Sequence, residues 1–272
     1  MTSIRAIRRA EYREKQLMYE KLFKSPHPAQ TKLGTAPSIT KGPCGSVYIS
    51  SMAGEIPDWR ITDEKSTFDR FIKRMGMTAY DKEGKATGAW TMATRGTAKS
   101  VGDVAMTLPV YTDANGEKFT ILQEEARPID LVRNGKDSRV LAFPAGIIGD
   151  EAKFSSESAL DCAKREFIEE TGMQAKNFES LSEPVRTTKN LKPIMSSPGL
   201  TDEATHFFYA EVENLRPVSK AVTDGGITRG WWKVPIKNLQ QWVNEMEALG
   251  KPLTSQTSTA LLKAIMRGKL HI

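Results

Sequence analysis

The sequence has little of what marks a secreted, membrane or phosphate-loop protein. Only two cysteines, Cys44 and Cys162, occur among its 272 residues, so a disulfide-stapled secreted fold gains no support. No run of about 18 apolar residues is present, and a membrane-spanning helix is not expected. The glycine-rich loop G-x-x-x-x-G-K-[ST] is also missing. These absences favour a globular protein of a reducing compartment, and we expect the cytoplasm.

Positive charge is concentrated at the N-terminus. The formal net charge is +6, of which residues 1–32 carry +5 and the other 240 residues +1. A nucleic-acid groove would need that charge on the main body, so nucleic acid is not expected as a partner. The N-terminal arginines would suit a mitochondrial transit peptide, an alternative to the cytoplasm. Such peptides are poor in acids, and Glu11, Glu14 and Glu20 count against one.

Local patterns divide the chain near residue 100. We interpret residues 1–100 as an N-terminal extension and residues 101–272 as the main domain. Residues 3–24 are predicted to form a basic helix, and residues 25–46, rich in Pro, Gly, Ser and Thr, a linker or irregular arm. Residues 47–103 form a poorly patterned accessory region with one short helix candidate, 64–76.

The main domain mixes strand-like and helical runs without a regular βαβ repeat, which predicts an α+β fold or a three-layer sandwich. The Asn115-Gly116 pair predicts a hairpin turn, and Trp231 and Trp232 should face opposite sides of a strand with one of them in the core. The predicted strands are 104–111, 118–125, 139–146, 205–213 and 229–235. The predicted helices are 158–171, 238–250 and 258–268.

The first of these helices crowds three carboxylates onto one patch. Glu166 and Glu170 are one turn apart, and Glu169 is beside them. Runs of this kind are often a solvated face, and that interpretation stays open. However, Glu169 and Glu170 precede Gly172, a suitable helix stop, where the helix dipole disfavours each negative charge by about 0.3–1 kcal/mol. A hard divalent cation such as Mg²⁺, which also binds substrate phosphates, would relieve the repulsion.

The stretch "REFIEETGM" (165–173) resembles the core of the Nudix box, R-E-U-x-E-E-x-G-U with U apolar, at every fixed position. Glu157 stands eight residues before Arg165, where the box has its earlier glutamate. Gly146 corresponds to the leading glycine, although the spacing from it to Glu157 is longer than in the box, and we assign the extra residues to the loop "IGDEAKFSS". The resemblance covers roughly residues 100–270 and leaves the extension unexplained.

This resemblance implies a Nudix-type α/β/α sandwich around a mixed sheet. It also implies Mg²⁺-dependent hydrolysis of a nucleoside diphosphate linked to another group, with Mn²⁺ as an alternative cofactor. Arg165 would hold the carboxylates by ion pairing, and Glu157 would support the loop. The implied metal ligands are Glu166, Glu170 and the carbonyl of Ala145. Glu169 would be a third ligand or a catalytic neighbour that orients the others.

A second resemblance concerns the substrate. "SSPGLTDEATHFFYA" is similar to the S-P-G-x-x-D-E-x-x-H-x-F stretch of ADP-ribose and ADP-sugar pyrophosphatases, and "QEEARP" with "FPAG" is similar to their Q-x-R…PAG. It implies hydrolysis of ADP-ribose or an ADP-sugar to AMP and a sugar phosphate. Arg127 would contact phosphate, and Gly146, Pro198 and Gly199 would lie beside the substrate. The matched residues are Ser197, Pro198, Gly199, Asp202, Glu203, His206 and Phe208.

Two residues are candidates for the catalytic acid or base. They are Glu203 and, in the loop "KAVTDGGITRG", Asp224. Plainer roles also stay open. Arg127 could form a surface ion pair with Glu124 or Glu125, Glu203 could cap a loop, and His206 could be a packed histidine.

Other functions remain alternatives to an ADP-sugar pyrophosphatase. They are hydrolysis of a dinucleotide polyphosphate, coenzyme A, NADH or capped RNA, and nucleotide-sugar binding by a non-catalytic regulator. All glutamates of the Nudix box are present, which disfavours the non-catalytic regulator. Trp59 and Trp90 could stack on an adenine or pack in the core. A homodimer is expected through the resemblance alone.

Overall fold

The computed structural model describes residues 39–50, 73–80, 86–94, 102–127, 139–150, 152–182, 193–197, 200–215 and 228–271. Their strands are β1 (Ile39–Lys41), β2 (Val47–Ser50), β3 (Lys73–Tyr80), β4 (Ala86–Thr94), β5 (Val104–Thr112), β6 (Lys118–Ala126), β7 (Arg139–Ala142), β8 (Ala145–Ile147), β9 (Ala175–Ser180), β10 (Ile194–Met195), β11 (Ala204–Val212) and β12 (Thr228–Pro235). Their α-helices are α1 (Ala159–Thr171), α2 (Leu239–Ala248) and α3 (Ser255–Met266). None of the helices in these stretches is long and apolar enough to cross a membrane.

Ten of the described strands form one mixed sheet, and β3 and β4 form a separate hairpin. The main path runs β1-β2-β12-β6-β5-β11-β10, with β7 beside β6, β8 beside β5 and β9 beside β11. β5 and β11 are parallel, and the other pairs in this sheet are antiparallel. This arrangement confirms the predicted α+β class with a mixed sheet.

Helices cover both faces of the main sheet. On one face, Phe207 of β11 belongs to a cluster with Trp242 of α2 and Ala264 of α3. On the other, Ile121 of β6 packs with Phe167 of α1. The layers are therefore helix, sheet and helix, as the sandwich prediction requires.

Trp231 and Trp232 lie in different clusters, because neighbouring strand residues face opposite sides. Both are buried, at 5% and 8% exposed. The expectation that one of them packs in the core is confirmed, and the second is buried as well because the sheet has helices on both faces.

The β5–β6 hairpin turns at the predicted Asn115-Gly116 pair. Gly116 has a φ of 80°, a conformation that favours glycine. The side chain of Asp113 accepts hydrogen bonds of 2.9 Å from the backbone N–H groups of Asn115 and Glu117. The turn sets the register that places β6 beside β5.

Pro144 divides the predicted strand 139–146 into two. A proline has no N–H to donate to a ladder, and here its carbonyl accepts from the N–H of Thr107 at 2.9 Å. Before Pro144 the chain forms β7, which pairs with β6, and after it the chain forms β8, which pairs with β5. This crossing brings Ala145 and Gly146 under α1.

Part of the predicted extension belongs to the main sheet. β1 pairs with β2, and β2 pairs with β12, so the interpretation of 25–46 as a linker or irregular arm is wrong for residues 39–41. The main chain forms these pairs, and the exposed residues of β1 carry no apolar pattern to reveal them.

The short helix candidate 64–76 is wrong from residue 73 onward, where β3 begins. Met75 continues a helical spacing from Phe71 and Ile72, but pairing with β4 overrides it. The predicted helix 3–24, together with 25–38 and 64–72, lies outside the described residues. The boundary near residue 100 stays a prediction.

A buried ion cluster, which we call the Glu124 cluster, ties β6 to three other parts of the fold. The carboxylate of Glu124, 1% exposed, accepts from Arg139 of β7 at 2.6 Å. It also accepts from the indole N–H of Trp232 at 2.8 Å and from Lys251 at 3.0 Å. Burial acts to raise the pKa of Glu124, but the hydrogen bonds from these three donors outweigh it and hold the pKa below its ordinary value.

The segment between α2 and α3 runs along the outer side of β7. The N–H of Leu141 donates to the carbonyl of Pro252 at 2.9 Å, and the N–H of Thr254 donates to the carbonyl of Leu141 at 3.0 Å. Leu253 forms a parallel bridge with Leu141. The two C-terminal helices are thereby joined to the sheet through main-chain hydrogen bonds.

Candidate functional site

Helix α1 begins and ends near the predicted residues. The hydroxyl of Ser158 accepts a hydrogen bond of 3.1 Å from the first turn, which is a standard N-cap. Gly172 ends the helix with a φ of 67°. Phe167 is fully buried against the sheet. Because Phe167 holds that side of the helix against the sheet, Glu166 and Glu170 contact residues of strand β8.

Gly146 of β8 lies against the side chain of Glu166. A Cβ at position 146 would overlap the carboxylate and its neighbouring carbons, so the close approach requires glycine. The Glu166 side chain is 12% exposed. Burial raises the pKa of Glu166 to about 7, against the charge of Arg165, and the charges of Glu169 and Asp150 add to the rise.

Glu170 lies over the start of β8. Its Oε2 accepts a hydrogen bond of 3.0 Å from the N–H of Ala145. Burial raises the pKa of Glu170 well above its ordinary value, and the charges of Glu125 and Glu166 raise it further, while Ala145 and Gln123 lower it. The contact made by Ala145 uses its N–H, so a ligand role for its carbonyl stays a prediction.

Arg165 contacts the carboxylates that the sequence associates with it. Nη1 donates to Glu166 at 2.6 Å and to Glu169 at 3.1 Å. Nε and Nη2 donate to Glu157 at 3.1 and 2.8 Å. Nη2 also lies 3.5 Å from Asp150. One guanidinium therefore serves four carboxylates, which leaves the group with an excess of negative charge.

Glu157 joins Arg165 to the loop before α1. Its Oε1 accepts from the N–H of Gly149 at 2.9 Å. Burial acts to raise the pKa of Glu157, but the hydrogen bonds from Arg165 and Gly149 outweigh it and lower the pKa. The pKa of Glu157 is thus lowered, whereas the pKa values of Glu166 and Glu170 are raised. The loop holds a short 3-10 helix, Ala152–Phe154, in the region where the sequence places the extra residues.

The exposed edge of this group suits a hard cation. Its donors are carboxylate oxygens, the ligands preferred by Mg²⁺ and Mn²⁺. Within the described stretches, no three His, Cys, Asp or Glu side chains already converge as a metal cluster. Burial raises the pKa values of Glu166 and Glu170 in spite of the contact between Glu166 and Arg165, and a divalent cation would add the positive charge that favours their ionised forms.

Arg127 forms the ion pair that the sequence left open. Its Nε and Nη2 both lie 2.6 Å from Oε2 of Glu125. The Arg127 side chain is 47% exposed, whereas that of Glu125 is 4% exposed. The Arg127 side chain is therefore partly accessible to solvent while paired with a buried carboxylate, and phosphate binding stays a prediction.

The "TDEATH" residues lie around the start of β11. Asp202 accepts from the hydroxyl of Thr94 at 2.6 Å, which joins β11 to the β3–β4 hairpin. Nε2 of His206 lies 3.7 Å from Asp103, with the histidine side chain 14% exposed. That position agrees with a packed histidine. Glu203 precedes the strand, and its catalytic role stays a prediction.

Several predicted site residues lie outside the described residues. They are Pro198, Gly199, Asp224 and Trp59. Trp90 lies on β4, but its side chain is outside the description as well.

The sequence interpretation missed two side chains that the fold brings to this site, Gln123 and Glu125 of β6. Gln123 is fully buried and Glu125 is 3% exposed. Both are polar residues at the end of a strand that is otherwise largely apolar, spaced two apart and so on one face. That spacing was the available signal.

Comparisons with known proteins bear on the fold. No protein-family model matches the chain, and no curated protein matches it. A solved structure titled "Crystal structure of ADP compounds hydrolase" aligns with a TM-score of 0.50 and 17% identity, over 86% of this chain and 95% of that chain. Another, "NUDIX hydrolase from Nitrosomonas europaea", aligns with a TM-score of 0.38 and 18% identity, over 62% of this chain and 92% of that chain.

The first of these likenesses concerns the whole architecture. It covers most of both chains, and it confirms the Nudix-type fold that the box motif predicts. At this identity the likeness shows the fold, and the chemistry has to be inferred from the side chains.

Proposed function

We propose that this protein hydrolyses the pyrophosphate bond of a nucleoside diphosphate linked to a second group, with Mg²⁺ as cofactor and Mn²⁺ as a substitute. One observation carries the proposal. Glu166 and Glu170 are held against Ala145 and Gly146 with raised pKa values, beside a single arginine already shared among four carboxylates. A fold would not keep such a group for stability alone, because buried charge that one shared arginine only partly compensates is unfavourable.

The chain's own residues divide the work between holding the cation and placing the substrate. Glu166, Glu170 and the carbonyl of Ala145 would be ligands, with Glu169 as third ligand or orienting neighbour. The chemistry supplied by Mg²⁺ here would be charge neutralisation of the diphosphate and activation of water. Arg165 orients Glu166 and Glu169 through its hydrogen bonds. Reactions of this class depend on positioning and charge stabilisation more than on covalent catalysis.

The proposed substrate is ADP-ribose or an ADP-sugar, which would yield AMP and a sugar phosphate. Its support is the motif "SPGLTDE", the accessible guanidinium of Arg127, and the fold shared with a structure titled as an ADP compounds hydrolase. Arg127 would bind a phosphate through its planar fork. Gly146, Pro198 and Gly199 would line the substrate site, and Glu203 or Asp224 would serve as general acid or base.

The test is hydrolysis of a panel of nucleoside diphosphate compounds by the purified full chain with Mg²⁺, scored by released monophosphate. We expect release of AMP from ADP-ribose or an ADP-sugar, and loss of the activity on chelation with EDTA that added Mg²⁺ restores. Cleavage of another compound class alone would contradict the substrate proposal but keep the hydrolase. Binding without turnover of any compound would contradict the enzyme itself.

Substitution of Gly146 tests the geometry directly. Gly146→Ala places a methyl group where the carboxylate of Glu166 lies, so that carboxylate must move. We expect Mn²⁺ affinity and hydrolysis to fall by about 10-fold or more, the scale of disturbed metal sites. Mn²⁺ binding to the substrate-free protein and steady-state hydrolysis both measure it.

Gly116→Ala is the matched control, because Gly116 has a positive φ and open space around it in the β5–β6 turn. It should strain the backbone by about 1–2 kcal/mol and leave Mn²⁺ affinity unchanged. Wild-type Mn²⁺ affinity in Gly146→Ala would contradict the placement of Glu166 as a ligand.

A further inference from the structure

The guanidinium of Arg165 is engaged along its edge by carboxylates. Its Nε, Nη1 and Nη2 donate to Glu157, Glu166 and Glu169. A guanidinium is planar and its N–H groups lie in that plane, so its two faces have no donors to offer. A group that covers one of these faces must therefore attract the cation without accepting a hydrogen bond, as an aromatic ring does.

The ring of Phe154 covers such a face. Cζ of Arg165 lies over the ring, 4.2 Å from its centre, well inside the limit of about 6 Å for a cation–π contact. Nζ of Lys153 lies 4.5 Å from the same centre. The Arg165 side chain is 13% exposed, so this contact is largely shielded from water, where such contacts are strongest. The ring thus binds a part of the guanidinium that the carboxylates cannot hold.

Phe154 is carried to Arg165 by the loop that lengthens the box. It ends the short 3-10 helix of this loop, and its carbonyl accepts a hydrogen bond of 2.9 Å from the N–H of Glu157. The carboxylate of Glu157 in turn accepts from the N–H of Gly149 at 2.9 Å. Both ends of the loop are therefore joined to Glu157, which is itself paired with Arg165.

Plain apolar packing does not account for this ring. In the part of the chain that the structure describes, Phe154 belongs to none of the buried apolar clusters. Its ring contacts two cations instead, Arg165 and Lys153. The position thus favours a role for the charge attraction of an aromatic face.

We propose that Phe154 is a positioning residue of this site, whose ring holds the guanidinium of Arg165 in the plane from which it orients Glu166 and Glu169. The inference rests on the function proposed above and deepens it, because it adds a residue outside the box motif to the machinery. An aliphatic side chain of similar size would fill the same space but lacks the negative face that attracts a cation.

The test measures Mn²⁺ affinity of the substrate-free full chain by the paramagnetic resonance signal of unbound Mn²⁺. Phe154→Leu should weaken binding by about 5-fold or more, somewhat less than the loss of a group that touches a ligand directly. Phe154→Tyr keeps the ring, and its affinity should stay within about two-fold of wild type. Thermal unfolding of each variant verifies the fold, which the half-buried position of Phe154 should leave intact.

A double variant shows whether Phe154 acts through Arg165. In an Arg165→Gln background, Phe154→Leu should change Mn²⁺ affinity by less than about two-fold, because residues that act through one another are not additive. A ring that served only to hold the loop together would cause the same loss in both backgrounds. If Arg165→Gln does not fold, the comparison of Phe154→Leu with Phe154→Tyr still decides.

Phe178→Leu is the matched control. Phe178 of β9 is also half-buried, and its ring centre lies 6.0 Å from Nζ of Lys164. Lys164 belongs to α1 but lies about 160° around the helix from Glu166. The same substitution here removes a ring that contacts a cation of the same helix, and Mn²⁺ affinity should stay within about two-fold of wild type.

Each outcome separates this inference from the function it rests on. Wild-type affinity in Phe154→Leu, with weakened binding in Glu166→Gln, would overturn the role of Phe154 and keep the cation site. An equal loss in Phe154→Tyr, in Phe178→Leu or in the Arg165→Gln background would also overturn it, since ring character or Arg165 would then not matter. No Mn²⁺ binding by the wild type would overturn the cation site and this inference with it.

Discussion

Glu166→Gln is expected to lower hydrolysis by about 100-fold or more, while making the protein without metal more stable. The first effect follows from loss of a proposed ligand, since even residues that only support a metal site change activity by about 10–100-fold. The second follows from the raised pKa of about 7. Ionising a carboxyl whose pKa is raised by burial destabilises the folded state relative to the unfolded one.

The gain in stability should depend on pH in a defined direction. Below the ordinary pKa of a glutamate, 4.5, Glu166 is protonated in both states and the variant should match the wild type. As pH rises through 7, the wild type loses stability that the variant keeps, by about 2–3 kcal/mol. Thermal unfolding with EDTA at pH 5 and pH 8 measures this, with a rise of roughly 5 °C expected at pH 8.

Glu247→Gln on α2 is the control, because Glu247 is an exposed helical glutamate. It should change neither activity nor the pH dependence of unfolding. Full activity in Glu166→Gln would remove this residue from the catalytic site. A variant that is less stable than wild type at pH 8 would show that its ion pair with Arg165 outweighs its burial.

Glu124→Ala is expected to be the most destabilising of the single substitutions considered. It leaves Arg139, Lys251 and the indole N–H of Trp232 without their shared acceptor. Removing one partner of a buried ion pair costs about 3–5 kcal/mol, and the midpoint of thermal unfolding should fall by roughly 10 °C. Chemical and thermal unfolding at pH 7 measure the loss.

The pH dependence has the opposite sign to that of Glu166. The pKa of Glu124 is lowered in the fold, so its contribution is present above the ordinary pKa of 4.5 and is lost as pH falls through the folded value. The difference between variant and wild type should therefore shrink in acid.

Glu117→Ala provides the comparison, since Glu117 pairs at 2.8 Å with Lys237, which is 69% exposed. This exposed pair should contribute at most about 1 kcal/mol. Equal losses in the two variants would contradict the role assigned to the Glu124 cluster.

The helix with the carboxylates was predictable because its signals are local. The N-cap Ser158, the stop at Gly172 and the apolar residue Phe167 all lie within one short stretch. The Nudix-type fold followed from the motif in the same stretch. The strands β5, β6, β11 and β12 were also predicted, because each is a long run of apolar and β-branched residues bounded by turn residues.

The sheet side of the site could not be predicted in the same way. In β6 every residue from Phe119 to Ala126 is buried, because helices cover both faces, so the usual alternation of apolar and polar residues is absent. Gln123 and Glu125 looked like the polar end of a strand. Only the pairing of β6 with β12 and the packing of α1 show which side chains share the face of Glu170.

The remaining strands were missed for a different reason. β9 has exposed and half-buried residues in no regular alternation and few apolar side chains, and β10 has two residues. β1 and β2 join the sheet by main-chain hydrogen bonds to a neighbour far along the chain, and β3 looked like the end of a helix. Pairing between distant segments leaves no local pattern in such sequences.

The segment beside Leu141 also covers one edge of the main sheet. An open strand edge is a template for pairing with another copy, and the hydrogen bonds of Pro252 and Thr254 close the outer edge of β7 within the molecule. Removing the chain after α2 would uncover that edge together with the apolar surface that α3 covers. Such a fragment should aggregate through its exposed strand, so the segment after α2 shields this edge as well as completing the fold.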